Sequence, residues 1–330
     1  ILALDTHGKE IYRKRVPSPR NDYQATLQTI VTQVELCEQE CSQKATNIGI
    51  GIPGTVNRES GKIKNANSTW LNGQALETDL TKRLGQQVKT QNDANCLAVS
   101  EATDGAAAGY KVVFAVIIGT GCGAGIAING QPHAGTNGIA GEWGHNPLPL
   151  PKVYTSNDES TIDSHCPNDI FDAEVEAHTL IHPVYAHKDR PGMFCRHPEL
   201  AEHPGPQCYC GKRGCLETWI SGTGFEKDYE RVTGRVLSAK EIVEGAGTGN
   251  KAEHLALQRY TDRLARGLAG VINILDPDII VLGGGMSNVD TLYKDLPKAL
   301  DPYVFSDSFE TRITKAAHGD SSGVRGAAWL

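Results

Sequence analysis

Val112-Val113-Phe114-Ala115-Val116-Ile117-Ile118-Gly119-Thr120-Gly121-Cys122-Gly123-Ala124-Gly125-Ile126-Ala127-Ile128 is the stretch on which the reading of this chain turns. Val112 to Ile118 is an unbroken apolar run rich in β-branched residues, as a buried strand requires. Gly119 to Gly125 reads as a glycine-rich turn and Ile126 to Ile128 as the return strand of a hairpin. Successive backbone amides exposed in such a turn form an anion cradle. A tight turn without any ligand would use the same letters. At seven residues the run is the longest apolar one in the chain. A membrane span needs about 20, so none is expected.

Outward from this hairpin, strands and helices interleave. Ile1 to Leu4 and Ile11 to Val16 read as short strands around the turn Asp5-Thr6-His7-Gly8. Tyr23 to Cys41 carries Leu27, Ile30, Val31, Val34 and Cys37 at helical spacing. Ile48 to Ile52 is a strand entering the turn Pro53-Gly54; Leu76 to Leu84 is a helix and Gln87 to Gln91 a strand. A helix opens at Asn92-Asp93 and runs to Ala108. Downstream, 217–233, 238–246, 289–300 and 321–330 read as helices. Within 251–275, Leu257, Leu264, Leu268, Val271 and Leu275 form one stripe, closed by Pro277. Ile279 to Leu282 is a strand running into Gly283-Gly284-Gly285.

The chain has 330 residues, which at about 150 per domain predicts two domains. The expected division is 1–108 plus 307–330 against 109–306. Residues 150–206 depart from it: rich in proline and histidine and without periodicity, they read as an insertion. The formal charge is −7, from 32 basic and 39 acidic residues. With no basic stretch to track a phosphate backbone, nucleic acid is not an expected partner. The opening Ile1-Leu2-Ala3-Leu4-Asp5 shows no basic n-region and no cleavage site, so a cytoplasmic location is expected, and the nine cysteines read as reduced thiols or metal ligands.

Three of those cysteines fall in Cys208-Tyr209-Cys210-Gly211-Lys212-Arg213-Gly214-Cys215. Thiols this close, with glycines to bend the backbone, can converge on one tetrahedral ion, and zinc is the metal that chemistry suits. The same thiols could lie unliganded in a tight loop. His145 is the candidate fourth ligand, with six other histidines between it and Cys208. Gly283 to Gly285 would let a purine lie against the backbone, or simply connect strand to helix. Asp93 stands where α/β folds collect ligands, at a strand end beside a helix start; an N-cap aspartate would stand there too.

Gly51-Ile52-Pro53-Gly54, Lys64-Asn65-Ala66-Asn67-Ser68-Thr69-Trp70, Asn92-Asp93-Ala94-Asn95, Gly119-Thr120-Gly121, Glu142-Trp143-Gly144-His145, Cys208 to Glu217 and Gly283-Gly284-Gly285 occur in this order. Together they resemble the ROK family of sugar kinases and sugar-responsive repressors. The resemblance spans nearly the whole chain outside 150–206. The text around Trp70, Glu142 and His318-Gly319-Asp320-Ser321-Ser322-Gly323 resembles bacterial fructokinases most, then N-acetylglucosamine kinases. The resemblance implies an α/β chain of the actin-like ATPase (ribonuclease H-like) fold, with two α/β domains around a cleft. It implies ATP-dependent phosphorylation of a hexose, expected to be fructose going to fructose 6-phosphate. N-acetylglucosamine, mannose and glucose are the alternative substrates.

Residue by residue, the resemblance makes Asp93 the base that takes the sugar hydroxyl's proton. Asn67, Asn92, Asp93, Glu142, His145 and Glu217 would bind the sugar. Gly119, Thr120, Gly121, Cys122 and Gly123 would hold the phosphates of ATP, and Gly283, Gly284 and Gly285 the adenosine, with Mg2+ across the phosphate oxygens. His145, Cys208, Cys210 and Cys215 would hold a structural Zn2+, with the second ring nitrogen of His145 toward the sugar. A homodimer is also implied.

The family opens with a strand and an Asp-x-Gly-Gly-Thr phosphate loop, and nothing like it precedes Ile1. A missing central strand would leave neighbouring backbone groups unpaired at about 1–3 kcal/mol each. The chain as written is therefore expected to be a fragment or to have a misassigned start, and to be a poor or inactive kinase. Two further expectations are weighed: a sugar-sensing repressor, which needs a helix-turn-helix that these residues do not supply, and an inactive sugar-binding protein. Within 150–206, His165, Cys166, Cys195 and His197 could form a second metal site, with solvated loop side chains as the plainer reading.

Overall fold

A computed structural model describes residues 1–152, 201–319 and 322–330. Most of the expected insertion, with His165, Cys166, Cys195 and His197, lies outside the described residues, as do Asp320 and Ser321.

The chain begins with the antiparallel pair β1 (Leu2–Leu4) and β2 (Glu10–Arg13). Helix α1 (Tyr23–Cys41) is started by Asp22, whose carboxylate accepts from the Ala25 amide. Next come β3 (Ile48–Ile52), the short antiparallel pair β4 (Thr55–Val56) and β5 (Ile63–Lys64), and α2 (Leu76–Leu84). The chain continues through β6 (Val88–Asn92), parallel to β3, directly into α3 (Asp93–Asp104). The first core packs the inner stripe of α1, Leu27, Val31 and Val34, on Ile48, Ile52, Leu80 and Val88. Burial of such a stripe is what stabilises helices of this length.

The second layer is a five-stranded sheet. β7 (Val112–Ile118) pairs antiparallel with β8 (Cys122–Ile128), which carries β9 (Gln131–Pro132) at the edge. After the turn at 143–145 come α4 (Glu217–Ile220), α5 (Gly222–Thr233), α6 (Ala239–Gly247) and α7 (Lys251–Leu275). Then β10 (Ile279–Gly283), α8 (Thr291–Leu300), β11 (Arg312–Lys315) and α9 (Ser322–Ala328) complete the chain. The sheet order is β11-β10-β7-β8-β9, with β7, β10 and β11 parallel.

The unbroken apolar run of β7 has its cause in this arrangement, because both faces of the strand are covered. Phe114, Val116 and Ile118 pack with Leu264 and Leu268 of α7, while Val113 and Ala115 pack with Leu97 and Ala98 of α3.

Two sequence expectations change here. The expected helix 217–233 is broken at Ser221, whose extended backbone and Gly224-capping hydroxyl start a new helix. The expected return of 307–330 to the first unit divides. β11 stays in the second sheet, whereas α9 crosses β3 and α3 so closely that a Cβ on Gly49 would stand 1.6 Å from the Ala327 carbonyl.

A buried ion network holds the large unit together. Arg263 and Arg266 on α7 both reach Glu202 at 2.7 Å, and Arg266 also donates to the carbonyls of Pro149 and Leu150. Glu202 accepts from the Lys152 amide. Asp228 takes Arg263, Arg259 and Arg231 at 2.9, 3.1 and 2.6 Å.

Candidate active site

The C-terminal ends of β6 and β7 open into one cleft of about 270 Å³. Strand ends of a parallel sheet are where α/β proteins bind ligands, since loops and helix N-termini converge there. Asn67, Asn92, Asp93, Glu142, His145 and Glu217 all line this cleft, together with Gly119, Thr120, Gly121, Cys122 and Gly123. Asn65, Pro53, Gly54, Gly141 and Tyr209 line it too. None of those five was assigned a role by the sequence reading, although all but Gly141 stand inside its quoted motifs.

The strand-to-helix junction at Asn92-Asp93 separates two roles that the sequence left together. Asn92 is the cap: its side-chain oxygen accepts from the Ala94 and Asn95 amides, and its nitrogen donates to the Gly54 carbonyl at 2.9 Å. One amide hydrogen of Asn92 is left to meet a ligand. Asp93 is the first helical residue and accepts from the Ala94 amide at 2.8 Å. Burial pushes its carboxyl above the ordinary range, opposed by hydrogen bonds from the Ala94 and Asp93 amides. Among the described residues no cation pairs with it. A partly buried, raised-pKa carboxyl in a cleft fits a general base.

Across the cleft, Asn72 clamps the 65–67 loop by exchanging two 2.9 Å hydrogen bonds with the backbone of Ala66. Its side chain thereby fixes where Asn65 and Asn67 stand. Glu217, at the start of α4, accepts from the Cys122 amide at 3.0 Å.

That contact corrects the phosphate cradle. The turn is shorter than Gly119 to Gly125, because β8 already begins at Cys122. Gly125 serves packing: its Cβ would stand 2.1 Å from the Ala94 carbonyl, so α3 could not cross β8 otherwise. The Cys122 amide is occupied by Glu217, which leaves a tip made of exposed Thr120 and half-buried Gly121. Space beside Gly119 is open, with no atom within 4 Å of a built Cβ. Gly283, Gly284 and Gly285 do not line this cleft. They stand at the neighbouring strand end, Gly283 in register with Ile117. Gly284 is required by the fold, with φ +81° and a Cβ that would meet the Ile118 carbonyl at 2.5 Å; Gly285 faces open space.

His145, Cys208, Cys210 and Cys215 come together as expected. One ligand atom from each lies within 4.8 Å of all the others. Cys208 Sγ is 3.6 Å from His145 Nδ1, and Cys210 and Cys215 have their sulfurs 3.6 Å apart. The close approach of Gly144 to the Cys122 carbonyl, 2.2 Å from a built Cβ, sets the His145 turn against β8. Three thiols and an imidazole nitrogen in this compass are the donor set of a structural zinc site. The second nitrogen of His145, a residue that lines the cleft, has a neighbour there. Nε2 lies 2.9 Å from the Tyr209 hydroxyl.

The family model for ROK matches residues 1–330. The chain belongs to the ROK family. Curated relatives include an N-acetyl-D-glucosamine kinase of Yersinia enterocolitica, 35% identical over 328 residues that cover 99% of this chain and 94% of that protein. The N-acetyl-D-glucosamine kinase of Haemophilus influenzae is 35% identical over 330 residues, 100% of this chain and 94% of that protein. Among solved structures, the Thermus thermophilus ROK hexokinase superposes with a TM-score of 0.72 at 23% identity, covering 95% of this chain and 87% of that one. A Streptomyces griseus ROK glucokinase does so at 0.68 and 21%, covering 99% and 93%. These superpositions agree on the fold, the actin-like α/β architecture.

The fructokinase resemblance is not supported by these relatives. Part of the text behind it serves packing: His318 Nε2 meets Asp104 at 3.0 Å and Ser322 donates to buried Glu101, so both tie the C-terminal segment to α3. Among the described residues no helix is long and apolar enough to cross a membrane.

Proposed function

We propose that this chain transfers the γ-phosphoryl group of ATP to N-acetylglucosamine, with Asp93 as general base. That the chain is a sugar kinase rests on its family and on curated relatives that match along its whole length. The choice of N-acetylglucosamine over fructose rests on the name those relatives carry. The observation that carries the mechanism is Asp93: a carboxylate at a helix start, raised in pKa by burial, without an ion-pair partner among the described residues, and lining the cleft.

The sugar would sit between the Asn65–Asn67 loop and the Glu142–His145 turn. Asn67, Asn92, Glu142 and Glu217 present donors and acceptors to its hydroxyls. Asp93 keeps one oxygen on the Ala94 amide and turns the other to the reacting hydroxyl. It takes that proton as the sugar oxygen attacks the γ-phosphorus and ADP departs. Thr120 and the Gly119–Gly121 turn stand where phosphates would lie, and Gly285 offers open backbone for the nucleoside. Bound Mg2+ would neutralise charge on the phosphate oxygens. Bound zinc would fix the His145 turn to the 208–215 loop, and those residues fit it by donor type and convergence.

A coupled assay of ADP release over N-acetylglucosamine, glucose, mannose and fructose tests the reading. The expected result is a kcat/KM for N-acetylglucosamine at least about tenfold above fructose, the size of a 1.4 kcal/mol difference. A preference for fructose would refute the substrate, and no turnover of any sugar would refute the activity.

A further inference from the structure

The turn after β7 is tied at both ends to one short segment. At its start, the Gly119 carbonyl accepts from the Gly222 amide at 2.8 Å; just past its end, the Cys122 amide donates to Glu217 Oε2 at 3.0 Å. Glu217 opens α4 and Gly222 opens α5, and the segment they bound follows closely on Cys215 of the thiol cluster. Trp219 and Ile220 within it are buried, so packing fixes the segment in the core. The turn also presses on the carboxylate itself: a Cβ built on Gly121 would stand 2.7 Å from Glu217 Oε2.

Glu217 lines the cleft with Asn92 and Asp93. Its second oxygen has no hydrogen-bond or ion-pair partner among the described residues. A carboxylate accepts at both oxygens, so Glu217 can keep the Cys122 amide on one and take a ligand hydroxyl on the other. The two oxygens are one rigid group. A hydroxyl held on the first restricts rotation about the last side-chain bond and steadies the hydrogen bond made by the second. The turn is then already ordered when a nucleotide arrives, and that part of the cost of binding is not met twice.

We propose that Glu217 is a positioning residue that couples the two substrates: its carboxylate joins the sugar to the phosphate turn, so bound sugar tightens nucleotide binding. By reciprocity, bound nucleotide tightens sugar binding by the same factor. This goes beyond the hydroxyl contact that the family resemblance gives Glu217, and it rests on the proposed sugar site.

The test is calorimetry on the full chain with a non-hydrolysable ATP analogue and Mg2+, alone and with saturating N-acetylglucosamine, with zinc per chain measured as a check on folding. In wild type, sugar should lower the analogue Kd at least about fivefold, the low end of coupling between linked sites. Glu217→Ala should bring that ratio close to one as well as weaken sugar binding. Gly121→Ala attacks the same contact from the turn: its methyl group drives the carboxylate off the Cys122 amide and leaves it for the sugar. The ratio should collapse there too, with sugar affinity in the absence of nucleotide retained. A change that merely weakens one ligand moves its Kd equally with and without the other and leaves the ratio alone. A wild-type ratio near one would overturn the proposal, as would a ratio at the wild-type value in both variants, which would leave Glu217 a sugar contact only. Should Glu217→Ala lose zinc, Gly121→Ala decides by itself. If the wild-type chain binds another hexose instead, the N-acetylglucosamine reading fails alone and the ratio is read on that hexose. No binding of any sugar would refute the sugar site and the coupling together.

Discussion

Glu202 and Asp93 are both carboxylates withdrawn from water, and the protein treats them in opposite ways. Glu202 is 2% exposed and is met by Arg263, Arg266 and the Lys152 amide. Burial pushes its pKa up, but the two guanidinium groups outweigh that and hold it below the usual range. Asp93 has two backbone amides and, among the described residues, no cation, so burial wins and its pKa rises. A charge that serves the fold is neutralised by partners. On the proposed reading, a charge that serves chemistry is kept in need of a proton, at a cost to stability.

Removing each group should therefore move different quantities. Asp93→Asn should lower kcat by about 10²- to 10⁴-fold, the usual worth of general-base catalysis, with sugar affinity by calorimetry largely retained. A drop below tenfold would take the base role from Asp93. Glu202→Gln takes from Arg263 and Arg266 the buried carboxylate they share, while Asp228 and Asp262 remain beside them, and should cost about 3–5 kcal/mol, the usual cost of breaking a buried ion pair, in urea unfolding. Its turnover per folded molecule should match wild type; a loss below 1 kcal/mol would mean the network is replaceable.

The cluster of His145 with Cys208, Cys210 and Cys215, proposed to hold zinc, should fall between the two. Cys215→Ser, or prolonged chelation, should release metal and raise the sugar KM by about 10- to 100-fold through the His145 turn. Retained zinc, or an unmoved KM after its loss, would separate that cluster from the sugar. The smallest effect concerns pH. Because Asp93 must be ionised to act, the acid limb of kcat should lie above the usual aspartate range of about 3.9. The Glu202 contribution has the other sign: its folded pKa is depressed, so its stabilisation is complete at neutral pH. It fades as pH falls through the ordinary glutamate range of about 4.3 toward the depressed value.

Sequence alone exposed what is local or periodic. The strand Val112–Ile118 and the helices Tyr23–Cys41, Leu76–Leu84 and Lys251–Leu275 match their expected bounds, because a buried run or stripe writes itself into the letters. The thiol cluster was legible from spacing, since three of its ligands lie within one loop. The Arg263–Glu202 network was not, because partners 61 residues apart leave no pattern along the chain. Gly125 misled the reading of the cradle, since a glycine for helix crossing and a glycine for phosphate are the same letter. Asn92 and Asp93 could not be told apart until backbone geometry showed which one caps the helix. Tyr209 gave no signal, because an aromatic between two cysteines reads as loop until its hydroxyl is placed beside His145.

Thermal unfolding of Asp93→Asn beside wild type, across pH, tests most directly whether this carboxylate is held unpaired for catalysis. A raised pKa means that the folded state pays to ionise Asp93 above the range where the unfolded chain loses its proton. The account predicts a higher Tm for Asp93→Asn at neutral pH, with the gap closing in acid below about pH 4. A lower Tm at neutral pH, as expected of Glu202→Gln, would contradict it by showing that Asp93 is a structural charge.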